Sequence, residues 1–440
     1  MPEEILKSRV GRTPLVRAKN LEKELGIKKI FLKLEGNNPS GHREDRLAYL
    51  IIRDAIARNK KTITMGTFGT IAGSLSYLSQ YFDVKCVFYV PNKKRISRKN
   101  LLSEENIKII ENGKNYAECV EESRKKAKEN GWYDANFGDA NSLMNMYAFS
   151  YIAKEINRQL KEEIDTIFCQ TFNGSSIAGL HLGLKELWIN EEIQTLPKIW
   201  ATSTDNGNAI IESYKKNLRK KIVLDKKDIT KTKLSRHMVN PNCLNGQDAL
   251  NAIHDTYGGA IGVKDEEIRK HVPNVKKLEK IKMTLQNSFP ITGFIKAVKE
   301  GKIKDGNHVI ILDDGTIKLD IRELKKSELD MPYTEFTDPI DEMKEAVENA
   351  FEKGHVIGAF DHETLVGITI LSKLPFETFF PKYHLSYIAT KKNVKGRGIA
   401  TQLLKKAIEI TKGDLSLHVE TNNKRAIKLY EKMGLRKKYY

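Results

Sequence analysis

Cysteine is scarce in this chain: four in 440 residues, Cys86, Cys119, Cys169 and Cys243, far apart and with no C-x-x-C pair. That spacing argues against a disulfide framework or a zinc knuckle, points to no metal site, and fits a reducing cytoplasm. Long apolar runs are also missing. No stretch reaches the ~18 consecutive apolar residues of a membrane span, and the opening MPEEILKSRVGRTP lacks the apolar core of a secretory signal. There is no run of five like charges, no internal repeat and no low-complexity segment.

What is present is length and base. At 440 residues the chain is roughly three times the usual single domain, so two or three domains are expected. Its 40% apolar and 30% charged content is that of a soluble globular protein. The net charge is +18, but most lysines stand singly or in pairs beside acids, as in KELGIKK and KEEID. A solvated lysine-rich surface is the favoured reading. Attraction for a polyanion, either a nucleic acid or a phosphate-bearing cofactor, is the other.

Two patterns divide the chain near residue 316. Before it, short β-rich runs alternate with helical stretches. Residues 29–35, 62–66, 85–91, 165–170, 198–202 and 308–314 read as buried strands. Asp45–Asn59, Ala72–Tyr81 and Ser176–Trp188 carry apolar residues at helical spacing. Such alternation predicts an α/β domain over 1–316 with a mostly parallel sheet covered on both faces. After it come a strand at 318–324 and a helix opened by Thr337-Asp338-Pro339 and ended by Gly354. Strands at 355–360, 365–372, 383–390 and 415–420 follow, the first two joined by a turn at Asp361-His362-Glu363. This second domain, 317–440, carries 22 Lys plus Arg against 18 Asp plus Glu, so +14 of the excess lies in the first.

Within the second domain, Val394-Lys395-Gly396-Arg397-Gly398-Ile399-Ala400 lies between a strand and an amphipathic helix. Two glycines permit a tight turn whose amides, backed by a helix N-terminus, suit phosphate oxygens. Further on stands Asn423-Lys424-Arg425-Ala426-Ile427-Lys428-Leu429-Tyr430-Glu431-Lys432-Met433-Gly434-Leu435. Together these resemble the GCN5-related N-acetyltransferase (GNAT) family, an α+β fold. Its pyrophosphate loop is matched from Lys395 to Ala400 apart from lysine in the first position, and its late N-x-x-A-x-x-x-Y-x-x-x-G helix is matched throughout. The resemblance implies direct acetyl transfer from acetyl-coenzyme A to an amine. Val394 to Ala400 would hold the pyrophosphate, with Asn423 also at the cofactor. Backbone of the strand through Tyr387, Ile388 and Ala389 would hold the pantetheine and polarise the thioester carbonyl. Tyr430 would protonate the departing thiolate, as a phenol of ordinary pKa near 10 can at neutral pH. The general base is not assigned; Glu363, His384 and Glu420 are candidates.

In the first domain, Gly11-Arg12-Thr13-Pro14-Leu15 and then Leu32-Lys33-Leu34-Glu35-Gly36-Asn37-Asn38-Pro39-Ser40-Gly41-His42-Arg43-Glu44-Asp45-Arg46 form a specific string. It resembles fold type II pyridoxal-phosphate (PLP) enzymes of the threonine synthase and cysteine synthase group, over about 5–315. That fold is tryptophan synthase β-like, three-layered α/β. The departures are chemical. Where the family carries the lysine that forms an imine with PLP, this chain has Glu44, and a carboxylate can form none. The family's substrate-loop asparagine is Thr70. The phosphate loop, Asn173-Gly174-Ser175-Ser176, keeps one glycine. The closing strand offers Asp313-Asp314 in place of Ser or Thr.

Three readings of this domain follow: a pseudoenzyme scaffold with PLP absent, a PLP enzyme working through Lys33 or another lysine, or a pocket rebuilt for another anion around Gly174, Ser175 and Ser176. Lys33, on the strand before the turn, reads better as a structural partner. For the whole chain the expectation is an N-acetyltransferase acting on a small-molecule amine or amino-acid-like acceptor, with a degenerate PLP-type domain beside it. Homo-oligomer formation would run through that domain. The rivals are a bifunctional lyase–acetyltransferase, an acetyltransferase for RNA or protein, and a non-catalytic ligand sensor.

Overall fold

The computed structural model describes residues 10–67, 69–92, 106–160, 162–225, 227, 229–232, 234–317, 319–328, 340–361, 364–375, 381–391 and 399–436. The chain forms two compact units, Met1–Thr316 and Ile317–Tyr440. Among the described residues, no helix is long and apolar enough to cross a membrane.

The first unit contains ten principal strands: β1 (Leu15–Arg17), β2 (Ile30–Leu34), β3 (Thr62–Gly66), β4 (Lys85–Val90), β5 (Ile107–Glu111), β6 (Tyr133–Asp134), β7 (Thr166–Gln170), β8 (Lys198–Thr204), β9 (Gly259–Val263) and β10 (His308–Leu312). They make two sheets rather than the single one expected. One is six-stranded in the order β1-β2-β10-β7-β8-β9, and the other four-stranded in the order β5-β4-β3-β6. Apart from antiparallel β1, neighbours run parallel. The chain leaves the first sheet after β2, builds the second from residues 62–134, and returns at β7.

Burial follows from the parallel arrangement. Strand β7 is buried at every residue, as expected where both faces are covered. On one face Ile167, Ile199, Val309 and Ile311 join Leu47 and Ile51 of α1 (Asp45–Ala57) in one core with Ile63, Met65 and Phe88 of the second sheet. On the other, the Phe168 ring meets Phe294 of α6 (Phe289–Lys299) edge-on at 5.2 Å. Between α1 and α6 lie α2 (Thr70–Ser79), α3 (Tyr116–Asn130), α4 (Ser142–Gln159) and α5 (Ser175–Ile189).

The second unit is a five-stranded sheet, β11 (Asp320–Glu323), β12 (Gly354–Asp361), β13 (Thr364–Lys373), β14 (Tyr383–Thr390) and β15 (Leu415–Leu417), in chain order. Its pairs are antiparallel except β14 with β15. Helix α7 (Ile340–Lys353) packs Val347 and Ala350 on one face. On the other lie α8 (Ile399–Ile410) and α9 (Lys424–Lys432), through Ile399, Leu403, Leu404 and Tyr430. Gly354 ends α7 as expected and also starts β12. A Cβ there would lie 1.9 Å from the Leu371 carbonyl oxygen of the neighbouring strand, so the close approach needs glycine. The residues proposed to open α7, Thr337 to Pro339, lie outside the described residues.

Candidate functional site

In the first unit the loop after β2 carries Arg43 and Glu44 into α1, and the Arg43 amide donates to the Asp313 carbonyl at 3.1 Å. This brings the loop to the C-terminal ends of β7 and β10. Arg43 lies there, buried, with Nη1 3.0 Å from Asp313 Oδ1. The same nitrogen donates to Cys169 Sγ at 3.2 Å and to the Gln170 carbonyl at 3.4 Å. Its guanidinium also sits 5.2 Å from the Phe149 ring centre. Burial opposes the charge, but Asp313, Cys169 and Glu44 outweigh it and raise the Arg43 pKa. Burial drives Asp313 well above the usual carboxylate range, Arg43 pulls it back, and Glu44 and Asp314 push it further up.

Glu44 comes within 3.5 Å of Arg43 Nη2. Asp314 accepts from the Thr284 amide at 3.1 Å. Thr70 is the first residue of α2. In the phosphate-type loop, Gly174 has φ +99°, and a Cβ there would strike the Asn245 carbonyl at 2.3 Å. The Ser175 hydroxyl donates to Asn245 Oδ1 at 2.9 Å and the Ser176 hydroxyl to the Gln170 carbonyl at 3.0 Å. Asn173 Oδ1 accepts from Asn240. Both serine hydroxyls are therefore spent on protein acceptors. Buried polar atoms at this end that have no hydrogen-bond partner among the described residues include His42 Nδ1, Arg43 Nε, Gln170 Oε1, Thr171 Oγ1 and Asp314 Oδ1, while Asp313 Oδ1 has its ion pair with Arg43.

Lys33 is elsewhere. Its fully buried ammonium donates to the Thr13 carbonyl at 2.8 Å, Glu155 Oε2 at 2.8 Å and Gln159 Oε1 at 3.0 Å. All three donors of the group are used, so Lys33 is a structural partner. Burial lowers its pKa, opposed by Glu155 and Glu35. Arg46 completes the cluster, gripping Glu35 at 2.7 and 2.8 Å and Glu155 at 2.7 and 2.8 Å. Lys33, Glu35 and Arg46 of the opening string thus join Glu155 of α4 in a network of two bases and two acids.

In the second unit, β14 and β15 pair over three rungs only: Tyr383 with Leu415, His384 with Ser416, and Leu385 with Leu417. The strand expected over 415–420 stops at Leu417, because it parts there from its neighbour. Beyond the fork, Ser386 to Thr390 continue along β13 alone, and an irregularity between Ile370 and Leu371 marks the point of parting. Ile388 and Ala389 lie on this free stretch, Ala389 buried. Tyr430 is buried in the cluster that holds Leu385 and Leu415. Ile399 is buried at the start of α8, followed by half-buried Ala400. Asn423 caps α9, its Oδ1 accepting from the Ala426 amide at 3.1 Å.

Val394, Lys395, Gly396, Arg397 and Gly398 lie outside the described residues, as does Glu363. Of the other candidate bases, Glu420 is exposed, past the end of β15. His384 sits on the middle rung of the fork with Nδ1 3.0 Å from Ser416 Oγ. Its Nε2 is 3.4 Å from Nδ1 of His418, a residue the sequence reasoning missed. Burial and His418 together lower the His384 pKa. Alternation alone places His384 and Ser416 on one face, but only the register brings His418 beside them.

Two domains with such sites, parallel α/β followed by a forked antiparallel sheet, define a fused architecture. A model of the pyridoxal-phosphate dependent enzyme family matches residues 6–314, and one of the acetyltransferase (GNAT) family matches 321–435. The chain belongs to the pyridoxal-phosphate dependent enzyme family and carries a GNAT acetyltransferase domain after it. It is 28% identical to threonine synthase of Methanocaldococcus jannaschii over 307 residues, covering 69% of this chain and 74% of that one. With cysteine synthase 1 of Emericella nidulans the identity is 24% over 332 residues, 73% of this chain and 84% of the relative. Among solved structures, processed threonine deaminase isoform 2 from Solanum lycopersicum superposes with a TM-score of 0.59 at 17% identity, covering 74% and 83% of the two chains. That likeness establishes the fold alone.

The family normally holds PLP, and the residues present here do not fit a cofactor bound through an imine. Glu44 has no amine. The acidic side chains of Glu44, Asp313 and Asp314 gather around the Arg43 guanidinium, an unfavourable setting for a phosphate-bearing cofactor.

Proposed function

We propose that this protein is an acetyl-coenzyme A-dependent N-acetyltransferase for a small amine or amino-acid-like acceptor, and that its first domain is a scaffold or ligand-binding module without PLP chemistry. The forked β14–β15 pair supports the transferase half. The second half rests on Glu44 in the place of the imine lysine, with Lys33 committed to the buried network. The unpartnered polar atoms at the ends of β7 and β10, among them Gln170 Oε1, Thr171 Oγ1 and Asp314 Oδ1, support a retained ligand pocket, since leaving such atoms bare is costly.

The acetyl thioester supplies an activated acyl group. In this reading, amides of Val394 to Ala400 hold its pyrophosphate, and Asn423 fixes the helix carrying Tyr430. Backbone N–H groups around Ile388 and Ala389 stabilise negative charge on the carbonyl oxygen. Tyr430 gives its phenolic proton to sulfur. Mass spectrometry of an amine panel incubated with acetyl-coenzyme A tests the reading; a panel of amines and amino acids left unacetylated sinks it. Gly398→Glu places a carboxylate at the pyrophosphate position, and calorimetry should find thioester affinity lost in a folded variant. Undiminished affinity would move the phosphate site elsewhere.

The PLP half has its own measurement. Wild type mixed with PLP should gain no visible-range imine absorption, and borohydride should add no cofactor mass to the chain. Glu44→Lys restores the amine, but Thr70 and Asp314 still lack the family's contacts, so at most weak imine formation and no β-replacement activity are expected. A reducible PLP adduct on any wild-type lysine would establish the bifunctional alternative.

A further inference from the structure

We propose that His418 is the base that takes the proton from the acceptor amine, and that His384 is the positioning residue that prepares it. This deepens the acetyltransferase reading above and rests on it.

Hydrogen-bond direction sets the tautomer of both rings. The Ser416 hydroxyl donates to the Tyr383 carbonyl at 3.3 Å. Its single proton is thereby used, so at 3.0 Å it accepts from His384 Nδ1–H. A neutral imidazole with its proton on Nδ1 has a bare lone pair on Nε2. That lone pair faces His418 Nδ1 at 3.4 Å, with the ring centres 5.0 Å apart. Nδ1 of His418 is therefore the protonated nitrogen, and its Nε2 is the open acceptor. The chain runs from the Tyr383 carbonyl through Ser416 and His384 to His418, each member fixing the tautomer of the next. His384 is half-buried and His418 is exposed, so the chain ends at solvent.

Position points the same way. His384 occupies the middle of the three paired rungs, and His418 is the first residue after them, at the point where β14 and β15 part. Tyr430 belongs to the cluster containing Leu385 and Leu415. His384 alternates with Leu385 along the strand, so the histidines lie on the opposite face. Acid and base thus flank the fork from its two sides. This suits a reaction in which sulfur departs as nitrogen arrives.

The groups around His384 leave it free for this use. Ser372 stands opposite it on β13, with Ser386 hydrogen-bonded to Ser372 at 2.7 Å. Lys373 pairs in register with Tyr383, and Asp414 accepts from the Lys382 amide at 3.1 Å. Helix α7 contributes apolar Val347 and Ala350 to this side of the sheet. Burial and, when it is protonated, His418 both oppose a charge on His384, so His384 rests neutral.

The step balances. The amine nitrogen forms a bond to the thioester carbonyl carbon, and the carbon–sulfur bond breaks. The proton lost by nitrogen goes to His418 Nε2, with the Nδ1 proton able to pass to His384 Nε2. Sulfur leaves as thiolate and takes a proton from Tyr430.

The test combines kinetics with imidazole titration on the full chain. His418→Gln should lower kcat/KM at pH 7 by about 100-fold, in the range of general-base contributions, with thioester affinity unchanged. Its deficit should shrink as pH rises toward the amine's own pKa, where free amine needs no base. His384→Gln should lose less, about tenfold, and shift the acidic limb of the pH profile. In the free protein, isotope-labelled histidine spectra should show the His384 titration midpoint rising on His418→Gln, since His418 helps to lower it. An unaltered rate and pH profile in His418→Gln would overturn the assignment, as would a His384 midpoint that His418→Gln leaves in place. A wild type that acetylates no amine would instead sink the transferase reading, and this proposal with it.

Discussion

Arg46→Met should destabilise the first domain by about 3–5 kcal/mol, the scale for removing one partner from a buried ion cluster. Arg46 holds both carboxylates of the network, Glu35 and Glu155, and both it and Glu35 are buried. Without it, Lys33 alone faces two acids, one of them fully buried. The urea midpoint of the transition assigned to this domain measures the loss; a midpoint within experimental error of wild type would mean that water or rearrangement replaces the guanidinium. Replacing Arg46 and Glu35 together by apolar residues should recover part of it, since the penalty lies in the uncompensated charge.

The same cluster predicts a pH dependence. Burial raises the Glu155 pKa, but Arg46 and Lys33 outweigh it and bring it to about 2, below its ordinary 4.5. Glu35 is lowered for the same reasons. Folded values below the unfolded ones mean that this stability is present above pH 4.5 and lost as pH falls toward about 2. Stability of wild type should therefore drop across that window, and Arg46→Met should flatten the drop. An equal slope in both proteins would assign acid sensitivity to other groups.

Tyr430→Phe should reduce turnover by roughly 10- to 1,000-fold, the span of general-acid contributions, while leaving thioester affinity and folding nearly unchanged. The ring stays in the cluster that holds Leu385, Leu403 and Leu415, so only the hydroxyl is removed. A full-rate Phe variant would mean that water protonates the thiolate or that product release limits turnover.

Much of the fold was legible in local pattern. Residues 62–66 and 383–390 become strands with those bounds, because their continuous or alternating apolar residues match what a sheet buries. Helix α1 ends at Ala57, two residues short of the pattern. What could not be read was strand order. Nothing in TITMG or KCVFYV says that they belong to a second sheet, since a parallel strand carries the same signal wherever it docks. The site divided likewise. Glu44 was visible as a missing amine. The Arg43–Asp313 contact spans 270 positions, and Lys33's commitment to Glu155 depends on a helix that comes much later. His418 was missed because a lone exposed histidine has no spacing signature until the register places it beside His384.

The central strand of the first domain is the last to be made. β10 lies between β2 and β7 in the finished sheet, yet it leaves the ribosome after more than 270 intervening residues. Until then β2 and β7 present bare inner edges, and the sheet exists as unjoined parts. Synthesis of residues 313–440 then takes roughly ten seconds at ordinary elongation rates. For that interval the trailing acetyltransferase segment tethers the nascent chain to the ribosome while β10 inserts. A stop codon shortly after β10 would remove this delay, releasing the chain before its middle strand has cleared the exit tunnel and found its place.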